Sequence, residues 1–186
     1  MKSYDAGPTD VPVLEETIGA NFERMVAAGP DADALVEVAT GRHWTYAALD
    51  DEVDSVARGL MALGVQKGDR VGIWAPNCAE WAITQFATSK IGAILVNINP
   101  SYRVHEVQYA LKQSGCTYLI IAPQFRTSDY TAMIYELAPE LLQAEPGTLA
   151  APHLPDLRTV IRLGTEAAPG MLTWGELLML GDNIST

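Results

Sequence analysis

Beyond residue 70 the chain carries four short apolar runs, Val71 to Trp74, Ala93 to Val96, Tyr118 to Ile121 and Thr159 to Leu163, each bounded by polar or turn residues. Runs of four or five apolar residues without alternation suit strands that are covered on both faces, as in a parallel sheet. Between them the apolar period changes to that of a helix, over Ala79 to Ile91 and Val104 to Ser114, with Gly115 as the stop signal of the second. Tyr130 to Leu142 is a third helical stretch, disturbed by Pro139. Strand, helix and strand in this order require right-handed crossovers, so the expected fold is α/β: a doubly wound, mostly parallel sheet with helices on both faces.

The first 70 residues add a different pattern. Leu14, Ile18, Phe22 and Met25 recur at spacings of four, four and three, which predicts an amphipathic helix over Val13 to Ala28 ended by Gly29-Pro30. Ala34 to Val38 and His43 to Thr45 flank the turn signal Thr40-Gly41-Arg42 and read as a small N-terminal hairpin. Thr45 then stands where it can cap a helix whose Leu49, Val53, Val56, Leu60 and Leu63 form one stripe ending at Gly64. A full capping box needs Glu or Gln three residues after the cap, and Ala48 stands there, so that cap is half made. Glu145 to Pro155, with three prolines and a glycine, reads as an exposed loop. Thr173 and Glu176 have the spacing of a complete capping box, and the helix they start carries an apolar face, Leu177, Leu178 and Leu180, with nothing after it to meet.

Composition excludes several functions. A formal net charge of -11 argues against a nucleic-acid backbone as partner, which demands clustered Lys and Arg. The acidic run Asp50, Asp51, Glu52 and Asp54 reads as a solvated face near a helix start. Two cysteines, Cys78 and Cys116, without a C-x-x-C spacing, and an N-terminus without an apolar core, favour a reducing, cytoplasmic setting. No apolar run reaches the roughly 20 residues of a membrane-spanning helix.

The chemistry-bearing residues are few. Gly64 and Gly68 flank Lys67 but lack the G-x-x-x-x-G-K-[ST] pattern, so a turn between helix and strand explains them. His43, His105 and His153 have no zinc spacing, and no serine sits in a G-x-S-x-G elbow. Cys78, ahead of a helix, stands where a thiol pKa can be lowered, and Asn77 stands where it can accept from first-turn N–H groups, with Trp81 packing one turn on. The strongest binding candidate is the turn Asn97 to Arg103, which follows the carboxyl end of an inner strand. Asn97, Asn99, Ser101 and Tyr102 offer hydrogen-bonding groups there and Arg103 a positive charge.

The stretch from Gly64, G-V-Q-K-G-D-R-V-G-I-W-A-P-N-C-A-E-W, followed by G-A-I-L-V-N-I-N-P-S-Y-R and H-E-V-Q-Y-A-L-K-Q-S-G, closely resembles the opening third of the adenylate-forming (AMP-binding) enzymes. Within that superfamily it is most similar to the fatty-acyl-CoA synthetases. The resemblance implies that residues 1–186 are the N-terminal part of the large AMP-binding domain of a fatty-acid-CoA ligase. It implies ATP, Mg2+ and CoA as cofactors of the full-length protein, and activation of a fatty acid to an acyl-adenylate before transfer to CoA. It places Asn99, Pro100 and Ser101 near the CoA adenine. The family's Ser/Thr/Gly-rich loop ending in Pro-Lys-Gly, its acidic ribose residue, its magnesium glutamate and its C-terminal lysine do not occur between Met1 and Thr186, so no catalytic residue is assigned and the chain alone is expected to be inactive. Further expectations are self-association through surfaces that the remainder of the domain would cover, and peripheral contact with a membrane as befits a lipid-handling enzyme. The alternative is a naturally short, non-catalytic protein that binds an acyl or CoA ligand or associates with a full synthetase.

Overall fold

A computed structural model describes residues 6–8, 10, 14–182 and 184. Among the described residues six helices and nine strands run in the order α1 (Ile18–Ala28), β1 (Asp33–Glu37), β2 (Arg42–Thr45), α2 (Tyr46–Ala62), β3 (Arg70–Trp74), α3 (Ala79–Ile91), β4 (Ile94–Asn97), α4 (Val104–Ser114), β5 (Tyr118–Ile121), β6 (Gln124–Phe125), β7 (Ser128–Asp129), α5 (Tyr130–Leu137), β8 (Thr159–Arg162), β9 (Leu172–Thr173) and α6 (Trp174–Gly181). A 3-10 turn at Pro139–Leu142 follows α5, where the proline ends the regular helix.

The main sheet has the order β4-β3-β5-β8-β9 and every pairing in it is parallel. The chain goes from β3 outward to β4, then crosses back over β3 to β5, so the winding direction reverses. With right-handed crossovers this puts α3 and α4 on opposite faces. Helices α1, α2, α3 and α6 pack as one layer, while α4 and α5 pack together. Three of the four apolar runs are buried as inner strands: Val71, Ile73, Trp74, Leu119, Ile120, Ile121, Val160 and Ile161 have no accessible surface, whereas the run Ala93 to Val96, also expected inside, forms the edge strand β4 with Ile94 exposed. Removing one buried aliphatic side chain from water is worth about 1.5–3 kcal/mol, so the three inner strands form the energetic centre of the fold. The β1–β2 hairpin pairs antiparallel. A second small ladder, β6–β7, closes the connection from β5 to α5.

Helix α2 follows its sequence pattern closely. The Thr45 side chain accepts from the Ala48 N–H at 3.2 Å, and Leu49, Val53, Val56 and Leu60 are buried. Helix α6 carries the complete capping box of Thr173 and Glu176. Its apolar face has a partner inside the chain, contrary to expectation: Leu177 is fully buried and α6 lies against α2. The approach is close enough that a Cβ on Gly59 would sit 2.2 Å from the Leu177 carbonyl oxygen, and one on Gly181 would sit 2.8 Å from the Gly59 nitrogen.

Two further expectations are corrected. Helix α1 begins at Ile18, because the Thr17 side chain accepts from the Ala20 N–H and fixes the start there. The predicted start at Val13 lies outside the described residues, and of the predicted stripe only Phe22 is buried, whereas Leu14, Ile18 and Met25 are exposed. The segment from Glu145 to Pro155 is irregular but not wholly exposed. Leu149, Ala151 and Leu154 are inserted into the core, and the Leu149 N–H is tied to the Arg158 carbonyl at 3.1 Å.

Candidate functional site

In an open parallel sheet, the loops at the carboxyl ends of two neighbouring strands diverge where the winding reverses, and a crevice opens between them. Here the reversal lies between β3 and β5. The strand ends are joined beneath that edge: the Ala122 N–H donates to the Trp74 carbonyl at 3.1 Å and the Ile98 N–H to the Ile73 carbonyl at 3.0 Å.

The turn predicted as the binding candidate sits on this edge, directly after β4. Asn97, Asn99, Ser101 and Arg103 are exposed there, with Pro100 and Tyr102 half-buried. The Asn99 side-chain oxygen accepts from the Ser101 N–H at 2.8 Å, and its carbonyl accepts from the Tyr102 N–H at 3.0 Å. The same carbonyl also accepts from the Trp74 indole at 3.1 Å, and the Pro100 carbonyl accepts from the Tyr130 hydroxyl. Burial pushes the Tyr130 phenol up to about 12, which keeps it a proton donor over the ordinary pH range. Arg103 is tethered: its guanidinium donates to the neutral Ser128 hydroxyl at 2.6 Å and so keeps its charge, and Glu106 caps its backbone N–H. The structure therefore brings Asn99, Pro100 and Ser101 together on one rigid turn and assigns Arg103 to holding that turn against the β6–β7 ladder.

A second polar cluster joins the hairpin to the start of α3. One Glu37 carboxylate oxygen accepts from the Ala79 N–H at 2.9 Å, while the other accepts from Arg42 at 2.8 Å and from the Thr40 hydroxyl. Arg42 in turn reaches Glu80 at 2.6 Å. Arg42 and Thr40, with the Ala79 N–H, hold the Glu37 carboxyl down at about 2. The capping role expected of Asn77 is thus taken by a carboxylate from another element. Cys78 is the cap residue, and Asn77 is exposed. Cys78 packs against the core, and its place ahead of a helix does not lower the thiol: burial pushes it up to about 11, and the nearby Glu80 and Glu37 carboxylates add to the shift. A hollow of about 270 Å³ lies beside this cluster, lined by Val36, Val38, Asn77 and Cys78 among others.

The acidic run on α2 is less solvated than its sequence suggests. Asp50 and Asp54 each grip the Lys90 ammonium at 2.6 Å, and Glu52 accepts from the Trp44 indole at 2.6 Å. Gly64 and Gly68 both have positive φ, 93° and 92°, and form the helix-to-strand turn anticipated for them. His43 pairs with Asp33 at 2.7 Å, while His105 and His153 are exposed and far from it in sequence.

One residue at the carboxyl edge was not singled out in the sequence. Arg162, at the end of β8, donates to Thr131 at 3.2 Å and to the carbonyl and carboxylate of Glu166 at 2.7 and 3.1 Å. It borders a hollow of about 310 Å³ shared with Gln124, Asp129 and Tyr135. The available signal was a lone arginine closing a buried apolar strand.

A parallel sheet wound in both directions, a rigid turn over its carboxyl edge and an N-terminal hairpin latched to the next helix define the class, and the chain belongs to the family of AMP-binding enzymes, whose model matches residues 22–173. Among its relatives is the mitochondrial medium-chain acyl-CoA ligase ACSF2 of Macaca fascicularis, 40% identical over 179 residues, covering 96% of this chain and 29% of that protein. The protein YngI of Bacillus subtilis (strain 168) is 40% identical over 173 residues, covering 93% of this chain and 32% of its own length. Among solved structures, acetoacetyl-CoA synthetase from Streptomyces lividans superposes with a TM-score of 0.72 at 28% identity, over 87% of this chain and 25% of that one. The chain thus spans about a third, or less, of the length of these relatives.

Proposed function

We propose that this chain is the N-terminal portion of the large domain of an acyl-CoA ligase that activates a fatty acid. In the full-length protein the acid's carboxylate displaces pyrophosphate from ATP to give an acyl-adenylate. The thiol of CoA then attacks the acyl carbon and AMP leaves. The observation that carries this reading is the family match over residues 22–173, joined to 40% identity with an acyl-CoA ligase over almost the whole chain.

The residues present allow only part of that chemistry to be located. ATP and Mg2+ need a phosphate-binding loop and available carboxylates, and the best-placed carboxylates here are committed elsewhere: Glu37 and Glu80 to Arg42, Asp50 and Asp54 to Lys90, Glu176 to its cap. No adenylation step is derived through them. The Asn99, Pro100 and Ser101 turn fits better as a neighbour of CoA, since the exposed Asn99 amide and Ser101 hydroxyl project from a held backbone at the carboxyl edge. Its role in the ligase is to receive and orient part of CoA, while the acid and ATP are handled by later segments. A cytoplasmic enzyme that meets its fatty acid at a membrane surface accords with this substrate; among the described residues no helix is long and apolar enough to cross a membrane.

The test is pyrophosphate release from ATP in the presence of a fatty acid. The isolated chain is expected to release none above background, and the full-length protein to do so with CoA-dependent turnover. Release by the isolated chain, freed of host synthetases, would overturn the assignment of the chemistry to later segments.

A further inference from the structure

Two aromatic side chains from different elements meet under the Asn99 to Ser101 turn. Trp74 is the last residue of β3, Tyr130 is the first residue of α5, and neither has accessible surface. Their rings stack with centroids 3.8 Å apart and planes inclined by 12°. Buried Trp and Tyr bring one polar group each that must find a partner, because an unmet donor in the core costs more than a made bond gains. Here both donors go to consecutive carbonyls of one surface turn, the indole N–H to Asn99 and the phenol O–H to Pro100. The Pro100 carbonyl depends on the Tyr130 phenol, while the Asn99 carbonyl shares the Trp74 indole with the Tyr102 N–H of the turn itself. The pair fixes both peptide planes, and the Ser101 N–H to Asn99 contact then sets the direction in which the two exposed side chains project.

The second anchor runs sideways. Arg103 to Ser128 ties the end of the same turn to the β6–β7 ladder, which directly precedes Tyr130. The turn after β4, the ladder after β5 and the start of α5 are consequently one hydrogen-bonded unit on the carboxyl edge, with the stacked rings as its floor.

We propose that Trp74 and Tyr130 are positioning residues for CoA capture: a buried aromatic pair, out of reach of any ligand, that sets the Asn99 to Ser101 turn through its two carbonyls. This rests on the reading of that turn as a neighbour of CoA. The variant Tyr130→Phe keeps the stack and deletes only the hydroxyl. In the full-length ligase it is expected to raise the KM for CoA about three- to tenfold, the scale of one lost hydrogen bond, and to leave ATP–pyrophosphate exchange with the fatty acid unchanged. Trp74→Phe is expected to act in the same direction. A stability control is Thr88→Val, which removes a buried hydroxyl from α3 bonded only to its own helix. It lowers the melting temperature and leaves the KM for CoA unchanged if the effect belongs to the turn.

Ser101→Trp tests the turn independently of its supports, because a bulky ring on the exposed turn obstructs CoA directly. If Ser101→Trp raises the KM for CoA and Tyr130→Phe does not, the positioning role is overturned and the reading of the turn stands. If Ser101→Trp has no effect on CoA, the reading of the turn fails and the positioning proposal falls with it. An equal rise in KM with Thr88→Val would reduce Tyr130 to ordinary packing and overturn the proposal too.

Discussion

Glu37 shows how much one side chain can connect. Its carboxylate caps α3 through the Ala79 N–H, pairs with Arg42 and closes the hairpin turn at Thr40, so the hairpin and α3 share an anchor. Because its folded pKa of about 2 lies below the ordinary 4.5, the charged form is preferred in the folded state. The stabilisation is therefore fully present above pH 4.5 and is lost as the pH falls towards 2. Glu37→Gln can still cap Ala79 but cannot pair with Arg42, and should cost about 1–2 kcal/mol at pH 7. Urea midpoints at a series of pH values check this: the gap between wild type and variant should close between pH 4.5 and 2, and a gap that stays constant would contradict the assignment of the charge. The same cluster explains why Cys78 is a poor nucleophile here. A thiol held near 11 beside two carboxylates contains almost no thiolate at neutral pH.

Among the elements, the α2–α6 contact is the most demanding of sequence, since it depends on two glycines facing one another across the helices. Gly59→Ala would force a methyl against the Leu177 carbonyl, lifting α6 from α2 at a cost of about 1–3 kcal/mol. Gly175→Ala, also on α6 but facing open space, should be neutral or stabilising by up to about 1 kcal/mol. Thermal denaturation of the two variants distinguishes a required close approach from a general effect of alanine, and equal midpoints would refute it. The elements whose signals are local were legible from residue order alone. Helices α3 and α4 have the expected bounds, Gly115 ends α4, and the Thr173 and Glu176 box starts α6. What sequence did not show depends on partners far away in the chain. Lys90 meets Asp50 and Asp54 across 40 and 36 positions, Glu37 caps a helix 42 positions on, and Leu149 and Leu154 leave a proline-rich loop for the core. The turn at Asn97 to Arg103 was legible as a turn after the carboxyl end of a strand, but that strand, β4, lies at the edge of the sheet and not inside it, because strand order depends on pairings that no local pattern records. Its supports, Trp74 and Tyr130, were not legible, because nothing local tells a buried aromatic that packs from one that also holds a distant carbonyl.

At the scale of the whole molecule, the sheet gives each region a distinct part. The carboxyl edge carries the turn proposed to meet CoA. The two outer strands, β4 and β9, end the sheet on either side, with Ile94 of β4 exposed. One helical layer is stapled by Lys90 and by the α2–α6 contact, and the hairpin is latched to it by Glu37. A scaffold organised in this way supplies a frame, and under the proposed function phosphate chemistry belongs to later segments. On that reading this scaffold works as the first part of a longer ligase. The most direct measurement is the intact mass of the protein that cells make, captured with an antibody against Gly64 to Arg103. A product several times heavier than 20.1 kDa is the result expected, and a product of 20.1 kDa would contradict it.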